Sequence, residues 1–380
     1  MNVLLGKNAS GKTTLLDLVA AITSDDLGPL AREAEGFSFE YDLTSGSDEL
    51  AVHVQRNPRA AVERAGLIAP LEPPRPGFEE RGWLRATTAT GAHVANFADD
   101  RWSRADGSPP EFPITDAAAT APHWALSGQL ALVPQIGQFL AAHPAPRLDE
   151  ATRVLERVLA GSIRFQQTLG SSSMLAYGEP APFSRTFLKS AEEQFKAAGN
   201  HDVGEISPDL SLCPPLDRAA AWLGYDKVTA SLRVKKRDVS GKQTIIEYGD
   251  LAFLFRRGDS EASLDRLSFG QRRLFAFLWY VASRLHSGPI VVDELANGLH
   301  HEWIRSCVEL ISETQAFLST QHPLLIDYMP DDVTFIRCST TDDGTMVWEN
   351  FTDAQHARLV DARHNGVLHL SEILQTESLW

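Results

Sequence analysis

Five residues into the chain the sequence reads Gly6-Lys7-Asn8-Ala9-Ser10-Gly11-Lys12-Thr13, which fits the pattern GxxxxGK[ST] at every position. No other stretch constrains the fold as strongly, because the pattern requires a strand before it and a helix after it. Met1 to Leu5 is a short apolar run of buried-strand type, and Thr13 to Ile22 reads as a helix. Gly6 and Gly11 let the backbone wrap with its N–H groups turned inward toward phosphate oxygens, while the helix aims its positive end at the same anion. Asn8, Ala9, Ser10 and Thr14 complete the cradle. Lys12 is placed to reach β and γ phosphates, and the Thr13 hydroxyl to bind Mg²⁺. By itself the loop implies a nucleotide and nothing finer.

A second constellation lies far downstream. Ile290-Val291-Val292 is an apolar strand that ends in Asp293 and Glu294. Asp293 can hold Mg²⁺, and Glu294 can polarise a water that attacks a γ-phosphate. Between the two constellations, Leu267-Ser268-Phe269-Gly270-Gln271 precedes the helical apolar run LFAFLWYVASRL. Ser268 and the Gly270 N–H at that helix start form a second anion-binding end, suited to a phosphate that the chain's own loop does not present to it. Two such ends require two subunits. After a further helix, the strand Ala316 to Thr320 ends at Gln321-His322, where the imidazole can contact a γ-phosphate.

In this order the phosphate loop, LSFGQ, the apolar strand with its DE pair, GLH and STQH resemble the ATP-binding-cassette ATPases, in the non-transporter branch that includes SMC, RecF and OLD-type proteins. The phrases GKNASGKTTLLDLV, DELANGLHHEW and STQHPLLID look most like the stand-alone AAA-type or AAA_21 ATPases, many of them from bacterial anti-phage defence systems. The resemblance covers roughly residues 1–55 and 245–340. It implies an α/β P-loop NTPase of ABC type, with a mixed sheet flanked by helices. It assigns Lys12 and Thr13 to Walker A, Ser268, Gly270 and Gln271 to the signature, Asp293 and Glu294 to Walker B, Asn297 and Gly298 to the D-loop, and His322 to the switch. Phe269 and Leu295 depart from transporter usage and suit the non-transporter branch. Relatives usually carry a strand or two before the phosphate loop, with a residue that packs on adenine. Here either the start is late, or that contact is lost or supplied elsewhere. Gln129, Gln135 and Gln138 are the candidates for the Q-loop.

Lys12 and Ser268 stand 256 positions apart, more than a compact nucleotide-binding lobe needs. The organisation expected is an N-terminal part of the ATPase lobe over 1–57, a large, mainly helical or irregular insertion over 58–225, the C-terminal part of the lobe over 226–345 and a tail over 346–380. FSFEYDL and LAVHVQ read as a hairpin of the lobe, 70–125 as loops and short helices, Asp149 to Phe165 and Pro182 to Ala198 as helices, and KVTASLRVKK and LAFLFRR as strands. No sustained heptads appear, which excludes a long coiled-coil arm. Only 58 residues follow His322, too few for a nuclease domain with its own sheet. Arg358 with His364, and His201-Asp202 with Glu205, read as surface positions rather than as a nuclease site.

Composition narrows the class further. The 380 residues are 43% hydrophobic and 22% charged with a formal net charge of -15, which argues against a chain-wide electrostatic grip on nucleic acid. Three cysteines without CxxC spacing indicate neither a disulfide framework nor a zinc site. Apolar stretches are interrupted well before the roughly 20 residues needed to span a bilayer, so the expected location is the cytoplasm, with no membrane partner. The function expected is an ATP- and Mg²⁺-dependent ATPase that closes as a head-to-tail homodimer and controls a separate effector, a nuclease or toxin. The alternatives are a RecF- or SMC-like ATPase that binds DNA directly, and an ATP-dependent switch with negligible turnover.

Overall fold

The computed structural model describes residues 1–24, 37–45, 48–58, 78–88, 91–98, 101–104, 151–168, 171–177, 183–197, 204–284 and 289–365. In chain order the elements are β1 (Asn2–Leu5), α1 (Lys12–Ser24), β2 (Phe37–Ser45), β3 (Asp48–Pro58), β4 (Phe78–Thr88), β5 (Gly91–Ala98) and β6 (Arg101–Arg104). Then follow α2 (Ala151–Ala160), β7 (Ile163–Thr168), β8 (Ser171–Tyr177), α3 (Arg185–Ala197), β9 (Glu205–Ile206), α4 (Ala219–Leu223), β10 (Lys227–Ser240), β11 (Gln243–Arg257) and β12 (Ser260–Ser263). The last are α5 (Phe269–Arg284), β13 (Ile290–Val292), α6 (His301–Ile311), β14 (Ala316–Ser319), α7 (Pro323–Asp327), β15 (Thr334–Thr340), β16 (Met346–Asn350) and α8 (Asp353–Asn365). The chain divides into two units, residues 1–17 with 147–380, and residues 18–146.

The first unit holds two sheets. One runs β13-β14-β1-β15-β16, parallel except for β16. The other is antiparallel, in the order β8-β7-β11-β10-β9, with β12 on β11. Val3, Leu4 and Leu5 of β1 and all of β13 are buried, as expected of parallel strands covered on both faces. Helix α5 is apolar on every side from Leu274 to Ala282, the pattern of a helix enclosed by other elements. Toward β13, the Tyr280 hydroxyl donates to Val291 O at 3.2 Å and accepts from Val291 N at 2.9 Å. Toward β11, Trp279 and Phe275 pack on Phe253, with ring centroids 5.2 and 4.9 Å apart. Phe183 and Phe187 close the same cluster. Trp279→Ala is therefore expected to cost about 3–5 kcal/mol, read as a lower urea midpoint with unchanged slope.

The second unit holds an antiparallel meander, β2-β3-β4-β5-β6. Two expectations are corrected here. The β2–β3 hairpin forms as read, within this unit. Residues 70–125, read as loops and short helices, contain β4, β5 and β6. The alternation was concealed because the inward positions of β4 are Leu84 and the small Gly82 and Ala86, while the large Trp83 points outward between Arg81 and Arg85. The helix read from Asp149 to Phe165 stops at Ala160, after which Ile163, Phe165 and their neighbours pair with β11. Among the described residues the span 58–225 carries both strands and helices. Gln129, Gln135, Gln138, His201 and Asp202 lie outside the described residues. No helix among the described residues is long and apolar enough to cross a membrane.

Candidate functional site

β1 delivers the loop from the centre of the parallel sheet, and α1 carries it away. A Cβ at Gly6 would sit 2.2 Å from Cys338 O and 2.5 Å from Ser10 Oγ, so only glycine fits against β15. Ala9 and Gly11 have φ of 62° and 83°, the left-handed turns that curl the loop's N–H groups inward. From outside, the Thr340 hydroxyl donates to Ala9 O at 3.2 Å and Trp348 Nε1 to Gly11 O at 3.2 Å. Asn8, Thr13 and Thr14 are exposed at the loop. Ser10 Oγ is buried without a hydrogen-bond partner, the orphaned group expected of a cradle shaped for an anion.

Lys12 crosses this cradle. Its ammonium is buried, and it donates to Gly6 O at 2.7 Å and Lys7 O at 2.9 Å. Burial lowers its pKa, opposed by attraction from Glu294, Cys338 and Asp293. A buried cation turned toward backbone carbonyls and an unpartnered hydroxyl fit a polyphosphate group.

The strand order decides what faces the loop. β14 lies between β1 and β13, all three parallel, so the C-terminal ends of β1 and β13 open on the same edge, one strand apart. Across that gap the Thr13 hydroxyl donates to Asp293 Oδ2 at 2.9 Å. The other Asp293 oxygen accepts from Ser319 Oγ, at the end of β14. A hydroxyl and a carboxylate at one point suit Mg²⁺, which takes one or two protein oxygens and completes its shell with phosphate and water. No cluster of three or more His, Cys, Asp or Glu ligands occurs among the described residues.

Glu294 is held in a costly conformation. Its φ is 51°, in the left-handed region that a residue other than glycine occupies at about 1–3 kcal/mol. Its N–H donates to Ser319 Oγ at 2.9 Å, and its carbonyl and that of Asp293 both accept from Arg273 Nη2, the latter at 3.1 Å. Burial lowers the pKa of Arg273, with Glu294 and Asp293 opposing the shift. The Glu294 carboxylate accepts from Gln321 Nε2 at 2.9 Å and from Gln321 N at 3.3 Å. His322 is exposed instead and caps α7, its Nδ1 accepting from Leu324 N at 3.3 Å. Arg273 and Ser319 carry no local sequence signal of this role, whereas Gln321 adjoins His322 in the same motif.

At the start of α5, Ser268 and Gln271 cap each other. Ser268 Oγ accepts from Gln271 N at 3.2 Å and Gln271 Oε1 accepts from Ser268 N at 3.0 Å, a capping box. Gln271 Nε2 also donates to Leu223 O at 3.2 Å, at the end of α4. A Cβ on Gly270 would lie 2.6 Å from Gly298 O, and one on Gly298 (φ 75°) would lie 2.4 Å from the Phe269 ring. The two glycines permit this close approach. The Phe269 ring remains 56% exposed. One turn on, the same helix supplies Arg273, so the signature end and the Asp293-Glu294 backbone are joined by a single rigid element.

Arg358 and His364 lie on α8; His364 is 3.4 Å from Asp331, and Glu205 pairs with Arg233 at 3.6 Å.

Residues 141–327 match the family model described as AAA_21: AAA domain, putative AbiEii toxin, Type IV TA system. Comparison with curated proteins returns no match. Among solved structures, the chain is similar to the Smc head domain of Pyrococcus furiosus with an extended coiled coil, bound to the C-terminal domain of ScpA: 10% identity, 96% of this chain and 93% of that one, TM-score 0.41. It is also similar to the SMC head domain of Thermotoga maritima (12% identity, 92% and 90% coverage, TM-score 0.34) and to the Smc head domain of Pyrococcus yayanosii with a coiled coil and joint (11%, 96% and 94%, 0.34). With β14 set between the phosphate-loop strand and the Asp293-Glu294 strand, and a capped LSFGQ helix tied to that pair through Arg273, the first unit has an α/β fold, a mostly parallel sheet flanked by helices with the loop and the acidic pair at one edge.

Proposed function

We propose that this chain binds ATP with Mg²⁺ and hydrolyses it in a head-to-tail homodimer, and that ATP-driven closure controls a separate effector protein, a nuclease or toxin. The observation that carries the reading is the convergence of Lys12, Thr13, Asp293 and Glu294 on one sheet edge, from positions 280 residues apart in the case of Thr13 and Asp293. The resemblance to stand-alone defence ATPases supports the effector. Mg²⁺, when bound, would offset charge on the β and γ phosphates, held by Thr13 and Asp293. Lys12 leaves the Gly6 and Lys7 carbonyls for the phosphate oxygens. Glu294 accepts the proton of the attacking water, with its backbone fixed by Arg273 and Ser319 and its carboxylate steadied by Gln321. His322 follows Gln321 at the end of β14, and its imidazole contacts the γ-phosphate.

The signature provides the test. Ser268→Arg is expected to abolish hydrolysis while each subunit still binds ATP through its own Lys12. Mixed with Lys12→Ala, it should recover activity, because a heterodimer contains one composite site with both lesions and one with neither. ATPase rate is followed against mixing ratio in an exchanging preparation. Absence of rescue at every ratio would place the whole site within one chain and refute the dimer. Turnover no faster than solvent hydrolysis in the wild type would favour a pure binding switch, and stimulation by duplex DNA a RecF-like role.

A further inference from the structure

Lys12, Thr13, Asp293 and Glu294 address phosphate, metal and water, and the sheet order indicates where the nucleobase lies. Asp293 and Glu294 are on the β13 side of the phosphate loop, so the terminal phosphate points that way. The ester end, with ribose and base, then leaves across the loop on the opposite side. That side is formed by β15 and β16: β15 is parallel to β1, so the turn between Thr340 and Met346 projects at the edge where the loop stands.

Two side chains of β16 cover the loop there. Met346 Sδ lies against Gly11, 2.6 Å from where a Cβ on that residue would be, yet Met346 is 42% exposed. Trp348 is half-buried and holds Gly11 O through Nε1. A thioether with one side on the loop and the other in solvent leaves a polarisable apolar face directly beside the phosphate cradle. Thioethers pack well on aromatic ring faces and edges, and adapt to irregular gaps.

We propose that the β15–β16 hairpin is the nucleobase platform of this protein: the purine ring of the bound nucleoside triphosphate packs on the exposed face of Met346, while Trp348 props the phosphate loop behind it. The proposal rests on the nucleotide reading above and assigns a specificity residue to that site. Met346 recognises the base, and Trp348 acts on phosphate only through Gly11.

Equilibrium binding of ATP and of inorganic tripolyphosphate, both with Mg²⁺, to the full chain separates the roles. Met346→Ala is expected to weaken ATP about three- to tenfold and to leave tripolyphosphate unchanged. Trp348→Phe, which removes the hydrogen bond to Gly11 O, is expected to weaken both alike. Unchanged ATP affinity in Met346→Ala, or an equal loss for both ligands, overturns the platform. So does a wild-type protein that binds tripolyphosphate as tightly as ATP. A wild type that binds neither refutes the nucleotide reading itself, and the platform falls with it; that result is visible before any variant is made.

Discussion

Exchanging Glu294 for glutamine is expected to slow the proposed ATP turnover about 10²-fold or more and to leave ATP binding in place. The amide occupies the same volume, and its oxygen can still accept from Gln321 Nε2, so the left-handed backbone and the grip of Arg273 and Ser319 survive. Only the ability to take a proton is lost. The ATP-bound dimer should then accumulate, visible as a shift in elution when ATP and Mg²⁺ are present. Single-turnover hydrolysis beside filter binding checks both halves, and unaffected turnover would mean that another group activates the water.

Lys12→Ala is expected to lower ATP affinity about 10²-fold, since it removes the charge-assisted hydrogen bonds from the buried cation at the centre of the cradle. Stability should not fall with it. Burial lowers the pKa of Lys12, so its charge is held at a cost that Glu294 and Asp293 only partly offset. For a lysine lowered in the folded state, that cost is present at neutral pH, where the ammonium is charged folded and unfolded, and it fades as pH rises through the lowered value. The alanine variant should therefore match or slightly exceed the wild-type melting temperature near neutral pH. The two carbonyls released, Gly6 O and Lys7 O, can be taken up by water entering the space the side chain leaves. A large drop in melting temperature together with unchanged affinity would show that Lys12 is a structural strut.

Much of the candidate site follows from short-range pattern. The phosphate loop, the apolar run before Asp293 and the Ser268–Gln271 cap each depend on residues within a few positions of one another, where backbone sterics and capping act directly. The sheet of the second unit was hidden because β4 turns Gly82 and Ala86 inward and Trp83 outward, which removes the contrast on which periodicity depends. Contacts across the fold were beyond any local pattern. Which neighbour at the end of β14 reaches Glu294 depends on strand register and the turn into α7, and these bring Gln321 onto the carboxylate while His322 caps the helix.

By itself, then, the sequence determined a phosphate loop on a buried strand, an acidic pair at the end of another and a capped helix between them, because each is a local solution to backbone geometry and charge. Only the tertiary structure decided that β14 intervenes between the first two, that Arg273 and Ser319 hold the acidic pair, and that Met346 and Trp348 close over the loop. Those choices join residues hundreds of positions apart, and they are made by sheet pairing and burial, to which neighbours in sequence are blind.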